Sequence, residues 1–180
     1  MVAKLRHWAP PPQHWCKINV DAAFSPSSSV ACFGCVVRDS FGSWVHGWSS
    51  RCFATTPFLS EVLAIREEIR FAILSTDNFV IASDCINAVK TILSSDHPCG
   101  PFANIFIECR ELLKASPRLE LVFETRSANR VADAVAKFSA ADTSLANGCF
   151  IWELAPSFVT NLCFLDFLEA CTPLNPDPPP

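Results

Sequence analysis

Lys17-Ile18-Asn19-Val20-Asp21-Ala22-Ala23-Phe24 alternates apolar and polar residues in its first half, the period-two pattern of a strand with one polar face. Ile18 and Val20 fall on one side; Lys17, Asn19 and Asp21 fall on the other. The strand is expected over Cys16 to Phe24. Working outward, Ser25 to Ser29 contains Pro26 and reads as a turn. Val30 to Arg38 is apolar enough for a buried strand, Asp39-Ser40-Phe41-Gly42 supplies turn chemistry, and Ser43 to Phe53 reads as the returning strand. The chain therefore opens with a three-stranded antiparallel meander.

The period then changes. From Ser60 to Leu74 the apolar positions Val62, Ile65, Ile69, Ala72 and Ile73 recur at three and four, predicting an amphipathic helix with Ser60 as its N-cap. Asn78 to Ser83 reads as a short strand, Asp84 to Leu93 as a helix, and Phe102 to Ala115 as another after a loop with two prolines. Leu119 to Thr125 reads as a strand and Asn129 to Ser139 as a helix. The order β-β-β-α-β-α-α-β-α predicts an α/β fold: a mixed five-stranded sheet, with parallel strands added to the meander and helices on both faces. This domain is expected over residues 16–140. Residues 1–15 read as a proline-rich, weakly ordered lead-in, and 141–172 as an extension with a short amphipathic segment at Phe158 to Phe167. Residues 173–180 read as a proline-rich tail.

Composition narrows the classes. Half of the 180 residues are apolar and 18% are charged, which excludes disorder through weak burial. No apolar run reaches the roughly 18 residues of a membrane-spanning helix, so no membrane partner is expected. No signal-like apolar segment is visible near the N-terminus, so the ten cysteines read as reduced thiols in an intracellular, non-secreted protein. A net charge of −4 argues against holding nucleic acid by net charge alone.

Four acids stand where surface charges are uncommon. Asp21 lies near the end of the first strand, and Asp84 lies where a strand gives way to a helix. Glu61 is expected in the first turn of the long helix, and Asp133 sits among Val131, Ala132, Ala134 and Val135. Asp21 and Asp84 would share one sheet edge if their strands are neighbours, with the two helical acids approaching from the side. Clustered carboxylates repel one another unless cations join them. Mg²⁺ suits such oxygen ligands, and two ions about 3.5–4 Å apart serve phosphodiester hydrolysis. On spacing alone, helix caps and solvated charges are the commoner reading of four such acids.

The segments Lys17 to Phe24, Val37-Arg38-Asp39-Ser40-Phe41-Gly42 and Ser60-Glu61-Val62-Leu63-Ala64-Ile65 resemble the ribonuclease H family, in its plant, retroelement-derived branch. Ser83-Asp84-Cys85-Ile86-Asn87-Ala88-Val89 and Arg126 to Ala136 continue the resemblance in the same order. Trp8 with its prolines and Pro156 to Asp166 resemble that branch's lead-in and tail, so nearly the whole chain is covered. The resemblance implies a ribonuclease H-like fold and a two-metal endonuclease that cuts the RNA strand of RNA–DNA hybrids. It implies two Mg²⁺ ions, with Mn²⁺ as substitute. Asp21, Glu61, Asp84 and Asp133 match the family's catalytic and metal-binding Asp, Glu, Asp and Asp. Arg126 and Asn129 are expected nearest the substrate, an RNA–DNA hybrid or other nucleic acid, and the chain is expected to act as a monomer.

Two departures bear on activity. Ala22 follows Asp21 where many members have glycine, and Phe123 to Asn129 lacks the histidine that cellular members commonly carry. Of the four histidines only His97 lies in a loop of the second half. A catalytically weak or inactive nucleic-acid-binding module is therefore the alternative. Lys114, Arg118, Arg126, Arg130 and Lys137 are the cations available for phosphate. Cys32-Phe33-Gly34-Cys35 is half a zinc pattern with no second pair, and Trp44 and Trp48 would share one face of a regular strand.

Overall fold

A computed structural model describes residues 7–142 and 149–171. The meander comprises β1 (Trp15–Ser25), β2 (Val30–Arg38) and β3 (Trp44–Phe53), followed by α1 (Pro57–Ile73), β4 (Asn78–Ser83), α2 (Ile86–Leu93) and α3 (Ala103–Ala115). The chain continues with β5 (Leu119–Phe123), α4 (Arg130–Ala141), β6 (Phe150–Trp152) and α5 (Ser157–Cys171). The sheet has six strands in the order β5-β4-β1-β2-β3-β6, not five. β1 runs antiparallel to β2 and parallel to β4, and the parallel pairing ends with Val20 opposite Ser83, so Asp21, inside β1, and Asp84, just past β4, are neighbours. β6 extends the β3 edge through Gly47, Trp48 and Ser49.

Side-chain alternation distributes two cores. Ile18 and Val20 of β1 with Ala31, Phe33, Cys35 and Val37 of β2 face α1, α2 and α3. On the other face Val36 meets Val131 and Val135 of α4 and Val159 of α5. Thus Cys32 and Cys35 do point apart, and none of the ten cysteines is bonded to another. Under α1, the buried Glu68 accepts hydrogen bonds from Cys35 Sγ (3.2 Å) and Trp48 Nε1 (3.1 Å), and burial raises its carboxyl to about 8.

Several local expectations are corrected. α1 begins one turn before Ser60: Thr56 is the N-cap, its Oγ1 accepting from Leu59 N–H at 3.0 Å, and Pro57 takes the first position, where its missing N–H costs nothing. Glu61 consequently sits beyond the first turn. Trp44 and Trp48 do not share a face, because a bulge leaves Val37 opposite His46 and Arg38 opposite Trp44. Trp48 joins the α1 side and Trp44 the α5 side.

The segments flanking 16–140 are packed on it. Trp8 is buried, so the expected weak order of the lead-in does not reach it. Its indole lies 3.8 Å from the Arg38 guanidinium. Arg38 is buried too, paired at 2.7 Å with Asp166 of α5, which is 0% exposed. Asp166 and Glu169 both also pair with Arg130. The segment expected to be short and amphipathic is instead a 15-residue helix without a distinct apolar face. Val159 and Asp166 are its buried residues, whereas Phe164, Leu165, Phe167 and Leu168 are exposed, and a buried charge helps hold it. Residues 1–6, 143–148 and 172–180 lie outside the described part, including the tail expected at 173–180. Among the described residues no helix is long and apolar enough to cross a membrane.

Candidate active site

Parallel pairing of β1 and β4 brings Asp21 and the Asp84 that follows β4 side by side, and α1 delivers Glu61 to them. One carboxylate oxygen from each lies within 4.8 Å of the others. Asp133, in the first turn of α4, lines the same hollow of about 480 Å³ without joining the triplet. Lys137, four residues on, donates to its Oδ2 at 2.7 Å, and Arg126 lies 3.5 Å from Oδ1.

Burial and mutual repulsion dominate the electrostatics. Asp21 is pushed up to about 7, first by burial and then by Asp84 and Asp133, with which Arg126 competes. Glu61 rises to about 9 by burial, reinforced by Asp21 and Asp84. Asp84 is also raised, chiefly by burial. Asp21 and Asp84 thus crowd each other, and the proximity of two carboxylates disfavours ionisation of both at once. Glu61 Oε2 is buried with no hydrogen-bond partner. An orphaned carboxylate oxygen beside two crowded acids is a donor set suited to a hard cation such as Mg²⁺. Residues Asp21, Glu61 and Asp84 therefore fit a divalent ion, with Asp133 at the margin.

Arg126, expected as a substrate contact, is exposed at the rim of the hollow. Asn129 is not such a contact. It is buried, its Nδ2 donating to the Val20 carbonyl at 2.9 Å and its Oδ1 accepting from Asn19 Nδ2 at 3.1 Å. The expectation failed because a polar residue before a helix reads alike whether its amide faces solvent or a neighbouring strand. His97 lines a different hollow beside Lys90 and Arg110, so it does not stand in for the histidine missing from the β5–α4 loop. Of the proposed phosphate cations, Arg130 is committed to Asp166 and Glu169, and Arg118 donates to the Thr76 carbonyl. Lys114 pairs with Glu111 on an exposed turn of α3, which leaves Arg126 and Lys137 at the hollow.

Sequence reasoning missed Asn19 and Glu124, which are buried or nearly so behind the hollow. Asn19 stood on the polar face of β1 in plain view. Its signal was a polar residue two before Asp21, and only a neighbouring element on that face could give it meaning.

A mixed sheet with helices on both faces and a carboxylate cluster at adjoining parallel strand ends defines a ribonuclease H-like α/β domain. The chain belongs to the reverse transcriptase-like family, which matches residues 19–139, and within it to the ribonuclease H group that its motifs resemble. It is 28% identical over 180 residues to an Arabidopsis thaliana protein whose name proposes a ribonuclease H, covering 96% of this chain and 27% of that protein. The chain thus spans about a quarter of that relative's length. Among solved structures, LC11-RNase H1 isolated from compost aligns with a TM-score of 0.64 at 20% identity, covering 74% of this chain and 99% of that one. The N-terminal ribonuclease H domain of a Mycobacterium tuberculosis protein aligns with a TM-score of 0.60 at 18% identity, covering 73% and 99%. These likenesses show the fold.

Proposed function

We propose that this domain is a metal-dependent endonuclease that hydrolyses the RNA strand of RNA–DNA hybrids. The observation that carries the reading is the convergence of Asp21, Glu61 and Asp84 within 4.8 Å, with Glu61 Oε2 lacking any partner. Support also comes from a similar structure, LC11-RNase H1, solved in complex with RNA/DNA hybrid (TM-score 0.56, 18% identity, 69% of this chain and 94% of that one). Asp21, Glu61, Asp84 and Asp133 would hold two Mg²⁺ ions, with Mn²⁺ as substitute. When bound, such ions activate a water and stabilise the departing ribose 3′-oxygen. The chain's own residues do the rest. Asp21 and Glu61, whose carboxyls burial and repulsion raise, would give up protons as positive charge arrives, and Arg126 and Lys137 would offset the negative charge that a phosphodiester brings to the hollow. Hybrid would be recognised through backbone shape and 2′-hydroxyls, with strong salt dependence.

The domain would act as a monomer, since one chain supplies the whole cluster, and inside the cell, where hybrids form. The Arabidopsis relative and the reverse transcriptase-like family support an origin in a plant retroelement.

A second reading is favoured by two observations: Asp133 is already held by Lys137 and Arg126, and Glu124 to Asn129 contains no histidine. Loss of an accessory proton carrier costs on the order of 10²–10⁴ in rate, which would leave a module that binds hybrid and turns it over poorly. Cleavage of labelled hybrid with Mg²⁺ or Mn²⁺, comparing wild type with Asp84→Asn, separates the two. Metal-dependent cutting of the RNA strand that the variant loses supports the nuclease. Equal cutting by both proteins refutes the site, and binding without cutting by folded wild type selects the module.

A further inference from the structure

Asn19 is fully buried on the α4 face of β1 and uses every hydrogen-bonding position of its amide. Oδ1 accepts from Trp8 Nε1 at 2.9 Å and from Arg38 Nη2 at 3.0 Å. Nδ2 donates to Glu124 Oε2 at 3.0 Å and to Asn129 Oδ1 at 3.1 Å. An amide offers two donors and two acceptor positions, so none is left over. The indole and guanidinium can only donate and the carboxylate can only accept, so a single orientation satisfies all four.

The two donated bonds reach opposite ends of one loop. Glu124 opens the connection from β5 to α4, and Asn129 closes it. Between them lies Arg126, at the rim of the hollow. Each anchor is also tied to the backbone beside a candidate ligand. The Glu124 N–H donates to the Ser83 carbonyl, one residue before Asp84. The Asn129 side chain donates to the Val20 carbonyl, one residue before Asp21, and its own carbonyl accepts from the Asp133 N–H at 3.1 Å. Lys17 secures the first anchor further by pairing with Glu124.

We infer that Asn19 is a positioning residue: it clamps both ends of the Glu124–Asn129 loop and so fixes Arg126 and Asp133 relative to Asp21 and Asp84. The inference rests on the nuclease reading only for its effect on turnover. Asn19 itself, being fully buried, touches no substrate. Its clamp matters because displacement of a reacting group by about 1 Å can cost about 10²-fold in rate. Buried polar networks of this kind specify one arrangement only when every member is satisfied.

The test is Asn19→Asp in the full chain. The aspartate keeps both accepted bonds, from Trp8 and Arg38, but sets acceptors against Glu124 and Asn129 Oδ1. Amide hydrogen exchange is expected to accelerate about tenfold or more across residues 125–133, with α2 and α3 retaining wild-type rates. Cleavage of hybrid per folded molecule is expected to fall about tenfold or more in kcat, a change that simple loss of stability does not produce. Unchanged exchange in the loop, or acceleration shared evenly with α2 and α3, would overturn the clamp. So would altered exchange with wild-type kcat. Should Asn19→Asp fail to fold, Asn129→Ala frees only the far anchor, and the same exchange comparison decides. If wild type proves unable to cut hybrid, the exchange result still judges the clamp, and it is the nuclease reading that fails.

Discussion

Asp21 on β1 and Gly34 on β2 are partners across the antiparallel ladder, and α4 lies where a Gly34 side chain would be. A Cβ at Gly34 would stand 2.3 Å from Ala136 N and 2.4 Å from Ala132 O. The backbone of α4 therefore rests on the sheet, and this contact carries Asp133 over the end of β1. Gly34→Ala must push the helix away. Overpacking of this order costs about 1–3 kcal/mol and sometimes more, or roughly 3–10 °C in Tm for a domain of this size. Calorimetry checks the cost, and an unchanged Tm would show that α4 does not bear on Gly34.

The three crowded acids predict a crossing of stabilities. Without metal, Asp84→Asn removes a charge from a repelling group, so the variant should melt higher than wild type in EDTA. With saturating Mg²⁺ the order should reverse, because ligand at about 100 times its Kd stabilises the form that binds it by about 2.7 kcal/mol. Thermal melts with and without Mg²⁺ decide this. Parallel behaviour of the two proteins would remove Asp84 from any metal site.

Glu68 predicts a pH dependence separate from the hollow. Its carboxyl is raised to about 8 in the folded chain, whereas an unfolded glutamate titrates near 4.3. Between those values the folded state holds a proton that the unfolded state has released, so stability falls as pH rises. The contribution is fully present below about 4.3 and is lost through about 8, with a slope of at most about 1.4 kcal/mol per pH unit. Asp21 and Glu61 act in the same direction, so the difference between wild type and Glu68→Gln isolates the residue. Urea unfolding from pH 5 to 9 should give a flatter profile for Glu68→Gln; coincident slopes would mean Glu68 is ionised throughout.

Asp166 is the counter-charge of a buried guanidinium. Removing one partner of such a pair costs about 3–5 kcal/mol, because the other charge stays buried and uncompensated. Asp166→Ala should therefore lower stability by that order, and deletion of residues 157–171 should abolish cooperative folding. A truncated chain with a sharp wild-type-like transition would show α5 to be an appendage.

Much of this architecture is legible locally. Alternation in β1 and β2 and the three-four spacing from Val62 to Ile73 express burial directly, and the adjacency of Asp21 and Asp84 follows once their strands pair in parallel. The features that escape are those decided at long range. β6 is three residues long, too short for a period to show, and exists because β3 offers it an edge. The bulge near Val37 and Arg38 moves Trp44 to the face opposite Trp48, and no residue type there announces it. Nothing near Asp166 in the sequence marks it as a buried counter-charge, because its partner lies 128 residues away. The Thr56-Pro57 start of α1 was readable, since proline after a capping threonine is a helix opening, but the apolar period begins later and drew attention to Ser60.

The Arg38–Asp166 pair also sets an order of events during synthesis. Arg38 leaves the ribosome with the meander, yet the carboxylate that neutralises it is made 128 residues later, on the order of 10 s at ordinary elongation speeds. Through that interval β2 carries a cation destined for an interior that is not yet closed. Until α5 emerges, the meander lacks both the carboxylate that neutralises Arg38 and the helix that packs over it. Native closure waits on contacts of very high sequence separation, which slow folding. The charge acquired first is settled only when α5 emerges.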